Sequence, residues 1–163
     1  MAMAGSIVDV LRRQKIPYSP VRHPVAYTAQ QEAAVAHVQG RHWAKTVLCF
    51  ADEDPIQAVV PAHLMVDFER LRALLGARAV RLGTEAEIAR LYPDCELGAM
   101  PPFGSLYGQR VAVDASLVGD PEMVFNAGTH TDAISMHYND YADLVKPIVG
   151  AIATAASRGA ALA

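Results

Sequence analysis

The sequence predicts one mixed α/β domain in which a central, largely antiparallel sheet is flanked by helices. Three observations predict it. Helix and strand signals alternate from Ser6 to about Leu91, and three strand-like runs then follow one another between Arg110 and Met136. With 163 residues, 52% of them hydrophobic and 19% charged, the chain is long and apolar enough to bury a single core, roughly 70% of the surface its unfolded form exposes, without a disulfide or metal staple. No repeat, linker or low-complexity stretch divides it, so residues 1–163 read as one domain.

Taken in order, Ser6 followed by Ile7, Val8, Val10 and Leu11 reads as a short amphipathic helix with Arg12, Arg13 and Lys15 at its carboxyl end, where cations suit the helix dipole. Pro17 and Pro20 stop it and leave Tyr18 to His23 extended. Thr28 with Gln31 has the pattern of a capping box, and the alanine-rich run behind it predicts a helix to about Gln39, stopped by Gly40. Trp43 to Phe50 and Ile56 to Val60 are apolar runs joined by a turn over Asp52 to Pro55, which predicts a hairpin of two core strands. Asp67 caps a helix through Leu71, Leu74 and Leu75 ending at Gly76, Ala79 to Leu82 is a strand, and Thr84 with Glu87 opens a helix ending near Leu91. Pro93 to Gly108 holds three proline and three glycine in sixteen residues, too many for a regular element, and reads as a loop anchored by Leu97, Met100 and Phe103. Strands over Arg110–Asp114, Glu122–Ala127 and Thr131–Met136 follow, then a helix from Asn139 to Val149 and a frayed alanine-rich tail.

Fourteen Lys and Arg against seventeen Asp and Glu leave a net charge of -3, which excludes a protein that coats nucleic acid, and neither a basic recognition helix nor a zinc-finger pattern points to DNA. Cys49 and Cys95 have no CxxC spacing, so neither a disulfide nor a metal site is expected. The amino terminus lacks a signal-peptide pattern and no apolar run reaches membrane-spanning length, so a soluble cytoplasmic protein is expected. The sequence has neither GxSxG, GxxxxGK[ST] nor GxGxxG, which removes elbow-type hydrolysis and most nucleotide-driven chemistry and leaves no cofactor to expect.

Three features could carry chemistry. Only three lysines occur against eleven arginines, and one of them, Lys45, sits inside the apolar run from Trp43 to Phe50. A lysine there must snorkel outward, pair with a carboxylate, or face a pocket that receives an anion or polar substrate. Leu97 to Gly104 combines free glycine ends with rigid prolines, a loop whose amides could point at a carbonyl. Asn126 to Asp132 is a small-residue turn carrying His130, with Asp132 placed to orient it.

Lys45-Thr46 before an aliphatic strand, Gly98-x-x-x-Pro102 with Gly104 beyond it, and the turn at Gly128, in this order, resemble the YbaK/prolyl-tRNA synthetase-associated editing domain family, over about His23 to Gly150. The resemblance implies a mixed α/β fold and hydrolysis, in trans, of the ester joining a wrong amino acid to tRNA. It further implies that Lys45 holds the terminal nucleotide, that Gly98 to Pro102 holds the aminoacyl carbonyl, and that His130 stands at the pocket. Around these, Thr46, Ala99, Gly104 and Gly128 would contact substrate, and Tyr27, Val47, Met100, Phe103 and Thr129 would line a pocket that excludes larger residues by volume. Alanine, serine, threonine or 2-aminobutyrate, carried by tRNA-Pro or a related tRNA, are the substrates so implied. The partners would be the aminoacyl-tRNA acceptor end and a synthetase or elongation factor. The alternative is a non-catalytic module that binds RNA ends or a synthetase with the same cleft.

Overall fold

The computed structural model describes residues 5–155. The residues before Gly5 and the alanine-rich tail after residue 155 lie outside the described residues. Helix α1 (Gly5–Arg13) has Arg12 and Arg13 in its last turn, and buries Ile7 and Leu11. After β1 (Ser19–Arg22), helix α2 (Ala29–Val35) starts at Thr28, whose Oγ1 accepts the Gln31 amide at 3.1 Å. This helix ends short of the expected Gln39. His37 takes a left-handed φ of 58°, its N–H bonds the Ala34 carbonyl, and the Val38 N–H reaches back to Ala33, so the helix is closed before Gly40 is reached.

The predicted hairpin forms from β2 (Ala44–Ala51) and β3 (Asp54–Pro61), joined through Asp52 and Glu53 at φ 49° and 66°. Two consecutive left-handed residues match the twist of the strands on either side. A short β4 (Leu64–Val66) precedes α3 (Phe68–Leu75), capped by Asp67 and closed by Gly76 as expected. Then come β5 (Val80–Leu82) and α4 (Glu85–Leu91), which carries the full Thr84–Glu87 capping box. The loop beyond it contains a single 3-10 turn, Gly104–Tyr107. Met100 and Phe103 anchor it in the interior, whereas Leu97 is 45% exposed and does not. The chain continues through β6 (Arg110–Asp114), β7 (Met123–Asn126), β8 (Asp132–Met136) and α5 (Tyr138–Val145) to β9 (Ile148–Gly150) and β10 (Ala153–Ala155). The helix expected to reach Val149 stops at Val145 because Pro147 disfavours helical backbone at Lys146, which sits at φ 52°. Ile148 and Val149 are thereby freed to pair with β6.

The strands form a five-stranded sheet ordered β5-β2-β3-β6-β9, a three-stranded antiparallel sheet β1-β8-β7, and an antiparallel β4/β10 pair. Antiparallel pairing predominates as expected, but β3/β6 and β6/β9 are parallel, so the larger sheet is mixed. One face of it packs Val47, Cys49, Ile56, Ala58 and Val60 against Leu71 of α3. Val59 and Val113 join Ile7, Leu11, Phe103, Phe125, Ile134 and Tyr141 in the core shared with α1, α5 and the three-stranded sheet. Leu48 and Phe50 pack with Tyr92 and Met100 under α4. Burial on every side explains why β2 reads as a continuous apolar run rather than an alternating one. No described helix is long and apolar enough to cross a membrane.

Candidate active site

A cleft of about 440 Å³ opens where α2, β2, α4 and the proline-rich loop converge. Strand β2 supplies one wall from Lys45 to Leu48, and Gly98 and Met100 of the loop supply another. Tyr27, Thr28, Ala29 and Glu32 come from the start of α2, Leu82, Gly83, Glu85 and Ile88 from the β5–α4 region, and Asn126 from β7.

Lys45 is half-buried, and burial lowers its pKa. It forms no ion pair or hydrogen bond among the described residues and is the only lysine or arginine lining the cleft. It lines the cleft and pairs with no carboxylate among the described residues. Partial desolvation without a protein counter-charge leaves its ammonium disposed to receive a phosphate, carboxylate or carbonyl oxygen. Among the described residues no arginine lines the cleft, and several are neutralised: Arg81 is clasped by Glu53 at 2.9 Å and Glu87 at 2.8 Å, Arg72 bonds Glu69, and Arg70 faces Asp67.

Gly98 holds φ at 83°, a conformation that a side chain would strain, and a Cβ there would stand 3.8 Å from His130 Cε1. The Ala99 N–H is taken by the Glu96 carbonyl at 3.0 Å. Leu97, Gly98 and Met100 are the loop residues that line the cleft, and the N–H groups of Gly98 and Met100 have no acceptor among the described residues. A wall with two unused amides beside a lysine can stabilise negative charge on an oxygen held between them.

The loop is clamped by the turn at residues 128–131. Glu96 N–H donates to Gly128 O at 2.8 Å, Gly128 N–H donates to Ala99 O at 2.9 Å, and His130 N–H donates to Glu96 Oε1 at 2.7 Å. His130 Nε2 meets Leu97 O at 2.6 Å. The His130 ring therefore stands behind the loop wall rather than in the cleft, in contact with the exposed ring of Tyr27, whose centroid is 5.2 Å away. Asp132 does not orient it, because His130 belongs to the turn and the alternation of the strand does not extend to it. Asp132 instead accepts from Thr129 Oγ1 at 2.7 Å and faces Arg22 at 3.6 Å.

The structure thus brings together Lys45, Thr46, Val47, Gly98, Met100 and Tyr27 in one cleft. It places Ala99 and Pro102 inside the loop, where the Pro102 carbonyl accepts from Tyr141 Oη at 2.7 Å. Phe103 turns into the core against Phe125 and Tyr141, with ring centroids at 5.5 and 5.3 Å. Gly104 serves packing, since a Cβ there would come within 2.6 Å of Gln109 O. Gly128 and Thr129 build the clamp. Sequence reasoning missed Glu32, which lines the cleft although it is 1% exposed. Burial pushes its carboxyl up to about 7, against the opposing influence of Asn126, which donates from Nδ2 to Oε1 at 3.0 Å, and of His130. No pattern in an alanine-rich helix announces that glutamate; Asn126 and His130, which influence it, come from the far half of the chain. Burial also pushes the thiols of Cys49 to about 12 and Cys95 to about 11, which disfavours a thiolate nucleophile. Among the described residues, no group of three or more His, Cys, Asp or Glu could hold a metal ion.

The family model of the aminoacyl-tRNA editing domain matches residues 23–144. Proline–tRNA ligases from two strains of Nitratidesulfovibrio vulgaris are 29% identical over 116 residues, 69% of this chain and 20% of theirs. The chain therefore spans about a fifth of the length of the curated relatives it matches. Among solved structures, a hypothetical protein superposes with a TM-score of 0.82 at 15% identity, covering 91% of this chain and 99% of that one. A candidate trans-editing enzyme for prolyl tRNA synthetase superposes with a TM-score of 0.80 at 19% identity, covering 93% and 96%. At these identities the structural likeness establishes the fold.

Proposed function

We propose, since the chain belongs to the aminoacyl-tRNA editing domain family, that its cleft hydrolyses the ester of mischarged aminoacyl-tRNA in trans. The observation that carries the reading is Lys45, a half-buried ammonium without a partner among the described residues, which lines one cleft with Gly98 and Met100. Lys45 holds the terminal nucleotide through phosphate or ribose oxygens, and the loop amides receive the aminoacyl carbonyl oxygen as charge develops on it. Water adds to that carbonyl carbon, the bond to the ribose oxygen breaks, and the proton from water goes to the leaving oxygen, giving a free amino acid and uncharged tRNA. An aminoacyl ester is reactive enough that orientation and carbonyl polarisation suffice without a protein nucleophile. In this reading the ribose 2'-hydroxyl of the substrate assists the water.

Val47, Leu48, Ile88 and Met100 give the amino-acid end an apolar lining of limited volume. Such a site excludes a larger cognate residue by clash better than it selects a smaller one by contact, where a methylene is worth only about 1–3 kcal/mol. Small residues, among them alanine, serine, threonine and 2-aminobutyrate, are the proposed substrates, with tRNA-Pro or a related tRNA as carrier. A synthetase or elongation factor bringing the acceptor end would offset the weak phosphate attraction of a chain with net charge -3.

The test is a panel of tRNAs charged with Ala, Ser, Thr, Cys, Pro and 2-aminobutyrate. Hydrolysis of one or more small members, abolished in Lys45→Ala, is expected. Binding of uncharged tRNA with hydrolysis of no member would instead establish the non-catalytic module.

A further inference from the structure

Behind the cleft, Glu32, His130 and His23 meet with more acceptors than donors. His130 Nε2 lies 2.6 Å from the Leu97 carbonyl. A carbonyl only accepts, so Nε2 carries hydrogen. By the same reasoning His23 Nδ1, 2.9 Å from the Pro24 carbonyl, carries its own. In the neutral rings the remaining nitrogens, His130 Nδ1 and His23 Nε2, are lone-pair acceptors. Both face Glu32 Oε2, at 3.5 and 3.9 Å. All three atoms are buried and have no hydrogen-bond partner. Asn126 donates to the other carboxylate oxygen and relieves none of them. An ionised Glu32 between two neutral rings would set three buried acceptors against one another, and one added proton removes the conflict.

We infer that Glu32 is a positioning residue: a single proton held among Glu32 Oε2, His130 Nδ1 and His23 Nε2 keeps His130 donating from Nε2 to the Leu97 carbonyl and so holds Gly98 in the cleft wall. The inference rests on the hydrolytic reading of the cleft for its effect on rate, but the proton itself can be observed without any activity. With the proton on Glu32, the carboxyl donates to Nδ1; with it on His130, the ring donates from both nitrogens. In either state Nε2 keeps its hydrogen and Leu97 keeps its bond. When the proton leaves to solvent, the carboxylate draws the ring hydrogen to Nδ1. Nε2 then turns a lone pair toward the Leu97 oxygen, and the loop loses that brace.

The groups that face Glu32 are His130 from the turn, His23 from the segment after β1, Asn126 from β7, and the charge of Glu96 in the loop. Of these, Asn126 and His130 favour the ionised carboxylate, and Glu96 adds to the burial that opposes it. Their balance leaves the carboxyl at about 7, so the proton comes off in the neutral range as a property of the coupled group.

Glu32→Gln separates the proton from the packing. Its carboxamide oxygen keeps the bond from Asn126, and its NH2 turns toward the two ring nitrogens and supplies a donor at every pH. The experiment is an imidazole nitrogen-15 NMR titration of the full chain from about pH 6 to about pH 8.5, run on wild type and Glu32→Gln. Single-turnover deacylation is measured in parallel and corrected for spontaneous ester hydrolysis. In wild type, hydrogen on His130 is expected to pass from Nε2 to Nδ1 as pH rises through about 7, with a fall in rate of about tenfold, the loss of one hydrogen bond in the transition state. In Glu32→Gln, Nε2 keeps its hydrogen throughout and the rate does not fall. A wild-type ring that holds one form across the range, or a Glu32→Gln profile that falls as wild type does, overturns the inference. If wild type hydrolyses no aminoacyl ester, the deacylase reading fails, while the NMR titration still decides whether Glu32 sets the state of His130.

Discussion

The two walls of the cleft are built in opposite ways. The Lys45–Leu48 wall is a length of β2 laddered to β3, with Lys45 opposite Val60 and Leu48 opposite Gln57. Its position is set by backbone pairing that no single side chain controls. The Gly98–Met100 wall has no ladder. It hangs on hydrogen bonds from the 128–131 turn, from Tyr141 Oη to Pro102 O, and from Gln57 Nε2 to Pro101 O at 3.1 Å. A functional group on the strand can therefore be removed without moving the wall it stands on. On the loop, side chains join the backbone bonds that position the wall, and one set of them titrates.

Breaking the strand wall's chemistry without its geometry should give the largest effect. Lys45→Ala is expected to lose about 10²- to 10³-fold in kcat/KM, the range for removal of one preorganised charge-stabilising group. Its thermal midpoint should hardly change, because no ion pair or hydrogen bond is lost; a comparable loss of stability would move Lys45 from the chemistry to the fold.

On the loop side, Glu32→Gln should alter stability in a pH-dependent way. The folded carboxyl sits at about 7 against an ordinary 4.5. The raised value means that the native state favours the protonated form, so the wild type's contribution is fully present below pH 4.5 and is lost as pH rises through 7. The variant should therefore match wild type in acid and exceed it above neutrality by on the order of 3 kcal/mol in urea unfolding. A constant difference at all pH values would contradict the buried-proton account.

Gly98→Val forces a β-branched residue into φ 83° and should cost about 10- to 100-fold in turnover, a strain of about 1–3 kcal/mol appearing at the carbonyl site. Circular dichroism should show the fold retained; full activity in a folded variant would remove the loop from the mechanism. Tyr141→Phe strips the buried donor from the Pro102 carbonyl and should lower stability by about 1–3 kcal/mol, with a smaller loss of rate, measured by denaturant titration beside the kinetics. The smallest effect belongs to Arg81→Ala, whose side chain is held by Glu53 and Glu87 and does not line the cleft: kcat/KM should be unchanged, and a marked loss there would mean that this arginine guides tRNA after all.

The strand wall was readable in advance because its signals are local. One lysine in an apolar run, a capping box at Thr84 and Glu87, and an aspartate cap with a closing glycine on α3 each depend on residues a few positions apart. The loop wall was readable only in outline. Gly98 announced itself by its company of prolines, but the inward turn of Phe103 and the clamp from Gly128 and His130 depend on contacts across the fold. Glu32 was invisible for the same reason, since its hydrogen-bond partner Asn126 lies 94 positions away. The early ends of α2 and α5 had local causes, a left-handed His37 and the proline after Lys146, of which only Pro147 was open to notice. The parallel pairing of β3, β6 and β9 follows from long crossovers that no periodicity records.

The most direct measurement mixes wild type in excess with tRNA charged with the best small residue of the panel and follows release of the free amino acid in a single turnover, with Lys45→Ala alongside. The account predicts release well above the spontaneous rate for wild type and close to the spontaneous rate for Lys45→Ala. Equal rates for the two proteins, or a wild-type rate no faster than spontaneous hydrolysis, would contradict it.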